Sequence, residues 1–488
     1  MLGERWRGLG LALLVALAAT LGAAPQSWGA RGAEPLAPGA WGEAAGGSVA
    51  PGAARPGGGP APTAAIDHVV VIYLENHSFD NLYGLFPGAD GLANAQDALP
   101  QVDLDGRPYA ALPQPVNTSQ QPPGPDPRFP ADLPNQPFDI GRYVPADEET
   151  GDLIHAYYRQ QYQIDGGKMD RFAYWSDAKG LALGHYDTSG LPLARWAREY
   201  TLADHFFHAA FGGSFLNHFW LVCACTPLWP NAPADAVSVP FPDRPDYLQD
   251  RSVRPDGYAV NTTQPFYAPY RAGTPDDHRL PPQTLPHIGD RLDAAGVSWA
   301  WYAGGWNAAA AGRPDALFQY HHQPFNYFAD VGGDPAARAR HLQDETDFLA
   351  ALREGTLPQV VWVKPAGTDN EHPGYTDVIT GEQHTEALLR AIQDSRYWPH
   401  VAIVVTYDEH GGYWDHVAPP VVDEWGPGER VPTLIISPFA KRGFVDHTPY
   451  DTTSILRFIE WRWNLPALGP RDAAVNNLLN AFDFGDVR

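Results

Sequence analysis

Cysteine is almost absent from the 488-residue chain: the two present, Cys223 and Cys225, stand one residue apart in LVCACTP. Two cysteines exclude a disulfide-built scaffold, and C-x-C without further ligands excludes a zinc finger or ribbon. A bridge across one residue is strained, whereas an oxidising compartment favours one, so thiols and bridge both stand open. Positive charge is scarce as well. Asp and Glu number 57 against 33 Lys and Arg, a formal net charge of −24. Such a surface repels nucleic-acid phosphates and excludes nucleic acid as a ready partner. A phosphate-bearing ligand would need local positive charge. After the N-terminal segment no run is long and apolar enough to span a membrane. No repeat occurs at solenoid or propeller spacing. H-E-x-x-H, a Walker A loop and a strand-linked G-x-G-x-x-G are all missing, which excludes zincin, P-loop and dinucleotide-binding readings.

The N-terminus has Arg5 and Arg7 before an apolar core from about Leu9 to Leu21, then small residues at Ala23-Ala24 and Ala30. This is a secretory signal pattern over residues 1–30, and it predicts export to the periplasm or beyond, with no stable membrane insertion once removed. Residues 31–65, rich in Ala, Gly and Pro, read as a flexible leader. Residues 66–488 then read as a single catalytic domain. The 48 Gly and 49 Pro predict many loops.

Five short, nearly continuous apolar runs follow: HVVVIYL (68–74), VSWAWYA (297–303), QVVWVKP (359–365), HVAIVVTY (400–407) and VPTLIIS (431–437). Their lack of polar alternation fits strands buried on both faces, as in a parallel sheet. Helical spacing appears over 285–296, 384–398 and 451–465, the last opening on Asp451 and Thr452 as capping candidates. Alternating strands and helices predict a doubly wound α/β fold with a mostly parallel sheet and helices on both faces. The Pro-rich stretches 100–150 and 225–285 are loop insertions expected to build the pocket.

Open parallel sheets bind ligands beyond the carboxyl ends of their strands. That rule selects Glu75 and Asn76 after the first run, Asp369, Glu371 and His372 after the third, and Asp408, Glu409 and His410 after the fourth. Oxygen donors on separate strands suit a divalent cation, which also relieves repulsion between crowded carboxylates. In HAAFGGSFLNHFW, Gly212-Gly213-Ser214 sets a hydroxyl in a tight turn. Leu216 breaks G-x-S-x-G, so a serine-hydrolase elbow is excluded and a metal-bound alkoxide is the sharper alternative. Among 18 histidines, His155, His321, His322, His372 and His416 lie in distinctive loops.

Taken together, ENHSFDN, GGKMDRF (166–172), YTLADHFFHAAFGGSFLNHFW (200–220), DNEHPG (369–374) and YDEHGGYWDHV (407–417) resemble the bacterial phosphoesterase family, which groups secreted acid phosphatases with phospholipases C. The resemblance covers 66–483 with its motifs in order. It implies an alkaline-phosphatase-like fold and metal-assisted phosphoryl transfer through a hydroxyl. Carried over by motif, Glu75, Asn76, Ser214, Asp408 and Glu409 are the implied ligands of a divalent metal ion of unspecified identity. Ser214 is the implied nucleophile, where phospholipase-type members usually have Thr. His155, His321, His322 and His372 are the implied contacts to the phosphoryl oxygens. FLNHFW, and an end soon after AFDFGD, favour the acid-phosphatase branch: hydrolysis of small phosphomonoesters through a phosphoserine. The alternatives are phospholipase C action on phosphatidylcholine-type diesters and a non-catalytic secreted binder on the same fold.

Overall fold

The computed structural model describes residues 65–485. The segment expected to be a signal, and all but the last residue of the expected leader, lie outside them. In chain order the main elements are β1 (His68–Leu74), α1 (Tyr157–Ile164), α2 (Pro192–Glu199), β2 (Thr201–Ala203), α3 (Ser214–Cys223), α4 (Ile288–Ala294), β3 (Trp299–Ala303), β4 (Leu342–Asp344), α5 (Glu345–Glu354), β5 (Val360–Lys364), α6 (Val378–Gln393), β6 (Val401–Tyr407), β7 (Thr433–Ile436), β8 (Phe444–Asp446) and α7 (Thr453–Trp463).

The strands form one sheet in the order β4-β3-β5-β1-β6-β7-β2-β8. β1 lies at its centre, parallel to β5 on one side and to β6 on the other. Every residue of β3, β5, β6 and β7 is buried, as is β1 after His68. Successive strand residues point to opposite faces, so both faces are covered, which is why these runs carry no polar alternation. α5 packs on β3, β4 and β5, and α2 on β2 and β7. The α/β class and the mostly parallel sheet are as the sequence predicts.

Several details differ from the expectation. β7 runs antiparallel to both β6 and β2. Its apolar run announces burial on both faces but carries no mark of direction. The edge strands β4 and β8, and β2 beside β8, are three residues each, too short for a period. α6 starts six residues before the expected 384 because Asp377 caps it, accepting from Thr380 N at 2.8 Å. Of the two capping candidates expected for α7, Thr452 stands at the N-cap without a side-chain bond and Asp451 Oδ1 accepts from Thr453 N at 2.7 Å. Cys223 and Cys225 form a disulfide around Ala224, which ends α3 with a left-handed φ of 46°. No helix among the described residues is long and apolar enough to cross a membrane.

Candidate active site

Register brings the first two donors together. Leu74 of β1 pairs with Tyr407 of β6, and Asp408 N donates to Leu74 O at 3.1 Å. The next residues, Glu75 and Asn76 on one strand and Asp408 and Glu409 on the other, therefore leave the sheet side by side. Ser214 is the first residue of α3, so the positive end of the helix dipole lies at its hydroxyl. Its Oγ is 3.2 Å from Glu75 Oε2 and 3.4 Å from Glu409 Oε1. The chain reaches this point through two glycines. A Cβ on Gly212, at φ 91°, would lie 2.8 Å from the Tyr157 backbone, and one on Gly213 would lie 2.7 Å from His155 O.

The imidazoles surround Ser214 and the carboxylates. His155 Nδ1 donates to Leu153 O at 2.6 Å and His372 Nδ1 to Pro373 O at 2.8 Å. Each ring thus turns Nε2 inward, at 3.2 and 3.3 Å from Asn76 Nδ2. His322 Nε2 lies 2.5 Å from Glu75 Oε1. His321 lies T-shaped to His322, with centroids 4.8 Å apart. A cleft of about 400 Å³ opens above Glu75, Ser214 and the four histidines, with Asp152, Asp250, Arg251, Asn261 and Tyr375 among the residues of its wall. The nine residues that the family's motifs imply for the site therefore lie together, whereas three others that the strand-end rule selects do not.

Two neighbours were not selected. Lys364, the last residue of β5, is fully buried and lies 2.8 Å from Glu75 Oε1 and 3.5 Å from Asp408 Oδ2. Its signal was the strand-end position in QVVWVKP. His218 is one helical turn after Ser214, donates from Nδ1 to Ser214 O at 2.7 Å, and lies 3.7 Å from Asp408 Oδ2. Its signal was the i,i+4 spacing. Conversely, Glu371 turns away to accept from Tyr407 Oη at 2.6 Å, and Asp369 accepts from Thr368 Oγ1 at 2.7 Å. His416 contacts Asp80, and His410 lies behind the site with Glu429. Of the two Pro-rich stretches only 225–285 supplies cleft residues; 100–150 supplies none.

The electrostatics follow from burial. Desolvation opposes ionisation of Glu75, yet Lys364 holds its carboxyl well below the usual range. Burial and the Glu75 charge push Asp408 well up. Burial likewise raises Glu409 to about 7, against the pull of His155. Burial would lower His155, but Glu409 and Asp152 raise it to about 9. Burial lowers His322 to about 4. Two of the three buried carboxylates, Glu75 and Asp408, thus face one buried lysine while Glu409 faces His155, and Asn76 Oδ1 and Asp408 Oδ1 are buried without a hydrogen-bond partner. Unsatisfied buried oxygens of this kind are costly. The donor set of carboxylates, an amide oxygen and a hydroxyl fits a hard divalent cation.

The phosphoesterase family profile matches residues 66–466. The chain belongs to that family. It is accordingly a phosphoric ester hydrolase. Curated relatives include phospholipase C B of Mycobacterium tuberculosis, 26% identical over 88% of this chain and 80% of that one. The non-hemolytic phospholipase C of Pseudomonas aeruginosa is 25% identical over 86% of this chain and 58% of its own. Among solved structures, a protein of the alkaline phosphatase superfamily from Vibrio parahaemolyticus aligns over 58% of this chain and 64% of that one, at 10% identity and a TM-score of 0.32.

Proposed function

We propose that this phosphoesterase hydrolyses phosphate esters by two displacements through a phosphoserine at Ser214, in the manner of an acid phosphatase. The observation that carries the reading is the Ser214 hydroxyl, at the foot of the cleft and within 3.2 and 3.4 Å of two carboxylates. A divalent cation held by Glu75, Asn76, Ser214, Asp408 and Glu409 would supply Lewis-acid stabilisation of a phosphoryl oxygen and a lowered pKa for the serine hydroxyl. Ser214 Oγ attacks phosphorus, the ester oxygen leaves as the alcohol, and water later cleaves the phosphoserine. The hydroxyl proton has an acceptor in place at Glu75 Oε2. His155 and His372 present Nε2 from one side, because a backbone carbonyl holds each Nδ1. His321 and His322 line the cleft as well. Together the four stabilise charge on the equatorial oxygens, and one of them protonates the leaving oxygen. The substrate is a small phosphate ester, and the N-terminal signal pattern supports action outside the cytoplasm.

A second reading, phospholipase C, is favoured by the names of the curated relatives. A panel of chromogenic phosphomonoesters and phosphodiesters, with release of diacylglycerol from phosphatidylcholine as a separate arm, distinguishes the two. The Ser214→Ala protein serves as the blank. Monoester turnover above that blank, with no diacylglycerol, is the expected result. Diacylglycerol as the main product would replace the first reading with the second. Silence on every substrate, with Mg²⁺, Ca²⁺, Mn²⁺ or Zn²⁺ supplied, would leave a non-catalytic binder.

A further inference from the structure

A second group of donors converges at the same sheet edge, away from the cleft. The parallel register of β2 and β8 sets Ala203 opposite Asp446. The next residues, Asp204 and His447, therefore leave the sheet as neighbours, with Asp204 N bonded to Asp446 O at 3.2 Å. Asp204 Oδ1 lies 2.9 Å from His205 Nδ1, and Asp204 Oδ2 lies 2.8 Å from His447 Nδ1. The carboxylate is fully buried, whereas the His447 side chain is 60% exposed. The group is thus anchored in the core and open to solvent on one side. Behind it, His205 Nε2 faces Asp90 Oδ2 at 3.3 Å.

We propose that Asp204, His205 and His447 form a second metal site, separate from the catalytic one, for a borderline divalent ion of the Zn²⁺ or Ni²⁺ class. Two imidazoles and one carboxylate on a single face suit such ions and leave the remaining positions to water. Asp90 supplies the outer-shell partner that a ligating imidazole usually has. At 3.3 Å from His205 Nε2 its carboxylate is near enough to draw the proton onto that nitrogen and leave Nδ1 for the ion. Binding requires each Nδ1 to turn a lone pair to the ion in place of a proton to the Asp204 carboxylate. No bond is oxidised or reduced. The ion would tie the edge strand β8 to β2.

Other groups of similar composition are closed by a fixed side chain, whereas here, among the described residues, Asp204 Oδ2 accepts, besides facing His447, only the backbone Asp90 N at 2.7 Å. In the His208, His410 and Glu429 group, Gln160 Nε2 fills the centre, 2.7 Å from His208 Nε2 and bonded to Glu429. In the Asp80, Asp415 and His416 group, the guanidinium of Arg430 reaches both carboxylates. In the His287, Asp290 and Asp330 group, His287 Nδ1 caps α4 by accepting from Asp290 N at 3.3 Å. Among the described residues, no Lys or Arg forms an ion pair with the Asp204 carboxylate.

The test is metal stoichiometry in the full-length protein. Chelator-treated wild type, His447→Ala and His278→Ala are each equilibrated with Zn²⁺ or Ni²⁺, desalted and assayed by elemental analysis. His447 is exposed, so its loss spares the fold. His278 is the control: it too contacts two carboxylates, Asp235 and Asp277, but both are solvated. Wild type and His278→Ala should retain one equivalent more than His447→Ala. Ni²⁺ at about 100-fold over its Kd should raise the wild-type Tm by roughly 2–5 °C, and should not raise that of His447→Ala. Phosphate-ester turnover by the His447→Ala holoenzyme should match wild type. Equal metal content in wild type and His447→Ala would overturn the proposal. So would an equal loss in His278→Ala, which would mark adventitious binding to surface imidazoles.

Discussion

Two carboxylate clusters sit at the carboxyl edge of this sheet, and they are built on opposite terms. At the flank, Arg430 is fully buried and satisfies the negative charge around it. Its Nε is 2.9 Å from Asp415 Oδ1, its Nη2 is 3.3 Å from Asp80 Oδ1, and its Nη1 donates to the backbone oxygens of Asp90 and Asp204 at 2.7 and 2.8 Å. At the centre, Glu75 and Asp408 share one lysine, Glu409 faces His155, and Asn76 Oδ1 and Asp408 Oδ1 have no hydrogen-bond partner. Composition does not separate the two clusters, since each is acidic and each contains histidine. Closure separates them. A cluster whose charges are met by a fixed guanidinium contributes to the fold. One left open to an incoming group is suited to chemistry and lowers stability when that group is absent.

The contrast can be broken by substitution, because the two clusters should lose different things. The largest effect is expected from Ser214→Ala: turnover should fall by roughly 10⁴-fold or more, while Tm stays within about 1 °C of wild type. Activity near wild type would remove Ser214 as nucleophile. Arg430→Met should do the reverse. Removing one partner of a buried ion pair leaves Asp415 and Asp80 uncompensated, at a cost of about 3–5 kcal/mol in chemical denaturation. A loss under about 1 kcal/mol would show that the flank is not held by its arginine. Asp408→Asn is the sharper case. It should cost about 10²-fold to 10³-fold in rate, together with bound metal measured by elemental analysis. It should not lower the Tm of the metal-free protein, since it removes a carboxylate whose ionisation burial and Glu75 already oppose. Unchanged metal content would take Asp408 out of the ligand set.

Much of this arrangement was legible in the sequence, and the remainder was illegible for identifiable reasons. β1, β3, β5 and β6 could be read to within two residues, because strands buried on both faces have to be apolar throughout. β2, β4 and β8 could not, because three residues carry no period. Glu75, Asn76, Asp408 and Glu409 followed from a topological rule about strand ends and needed no side-chain geometry. Ser214 and the four histidines came with the family's motifs. Lys364 and His218 were passed over although each had a plain signal, one a strand-end position and the other helical spacing from Ser214. Arg430 pairs with Asp415, 15 residues before it, and with Asp80, 350 residues before it, and no local pattern announces either. Nor does local pattern tell which acidic residues of the loops after the strands turn inward: Glu75 directly follows β1 and faces the site, whereas Glu371, farther along the loop after β5, faces Tyr407.

That difference suggests a third way to bury a carboxylate, and the smallest predicted effect. Glu371 accepts from Tyr407 Oη at 2.6 Å and packs against the helix that carries Glu382, where a Cβ on Gly381 would strike its side chain. Glu382 accepts from Leu193 N at 2.8 Å through Oε2, and its Oε1 is buried with no hydrogen-bond partner. No Lys or Arg is paired with either residue among the described residues. Burial pushes Glu382 up to about 8, while the Leu193 N–H pulls against it. Here the charge is neither closed by a guanidinium nor left open; the group holds a proton. The sign of the linkage follows. Below about pH 4.3, the ordinary value for glutamate, folded and unfolded chains are both protonated at this position and its contribution is fully present. As pH rises from there through 8 the unfolded chain releases the proton first, so stability falls across that window. Glu382→Gln keeps an acceptor for Leu193 N and removes the titration. Its Tm should match wild type at pH 4 and exceed it by a few degrees at pH 9, read by thermal scans at several pH values. A constant offset between the two proteins at every pH would mean that Glu382 does not titrate in this range.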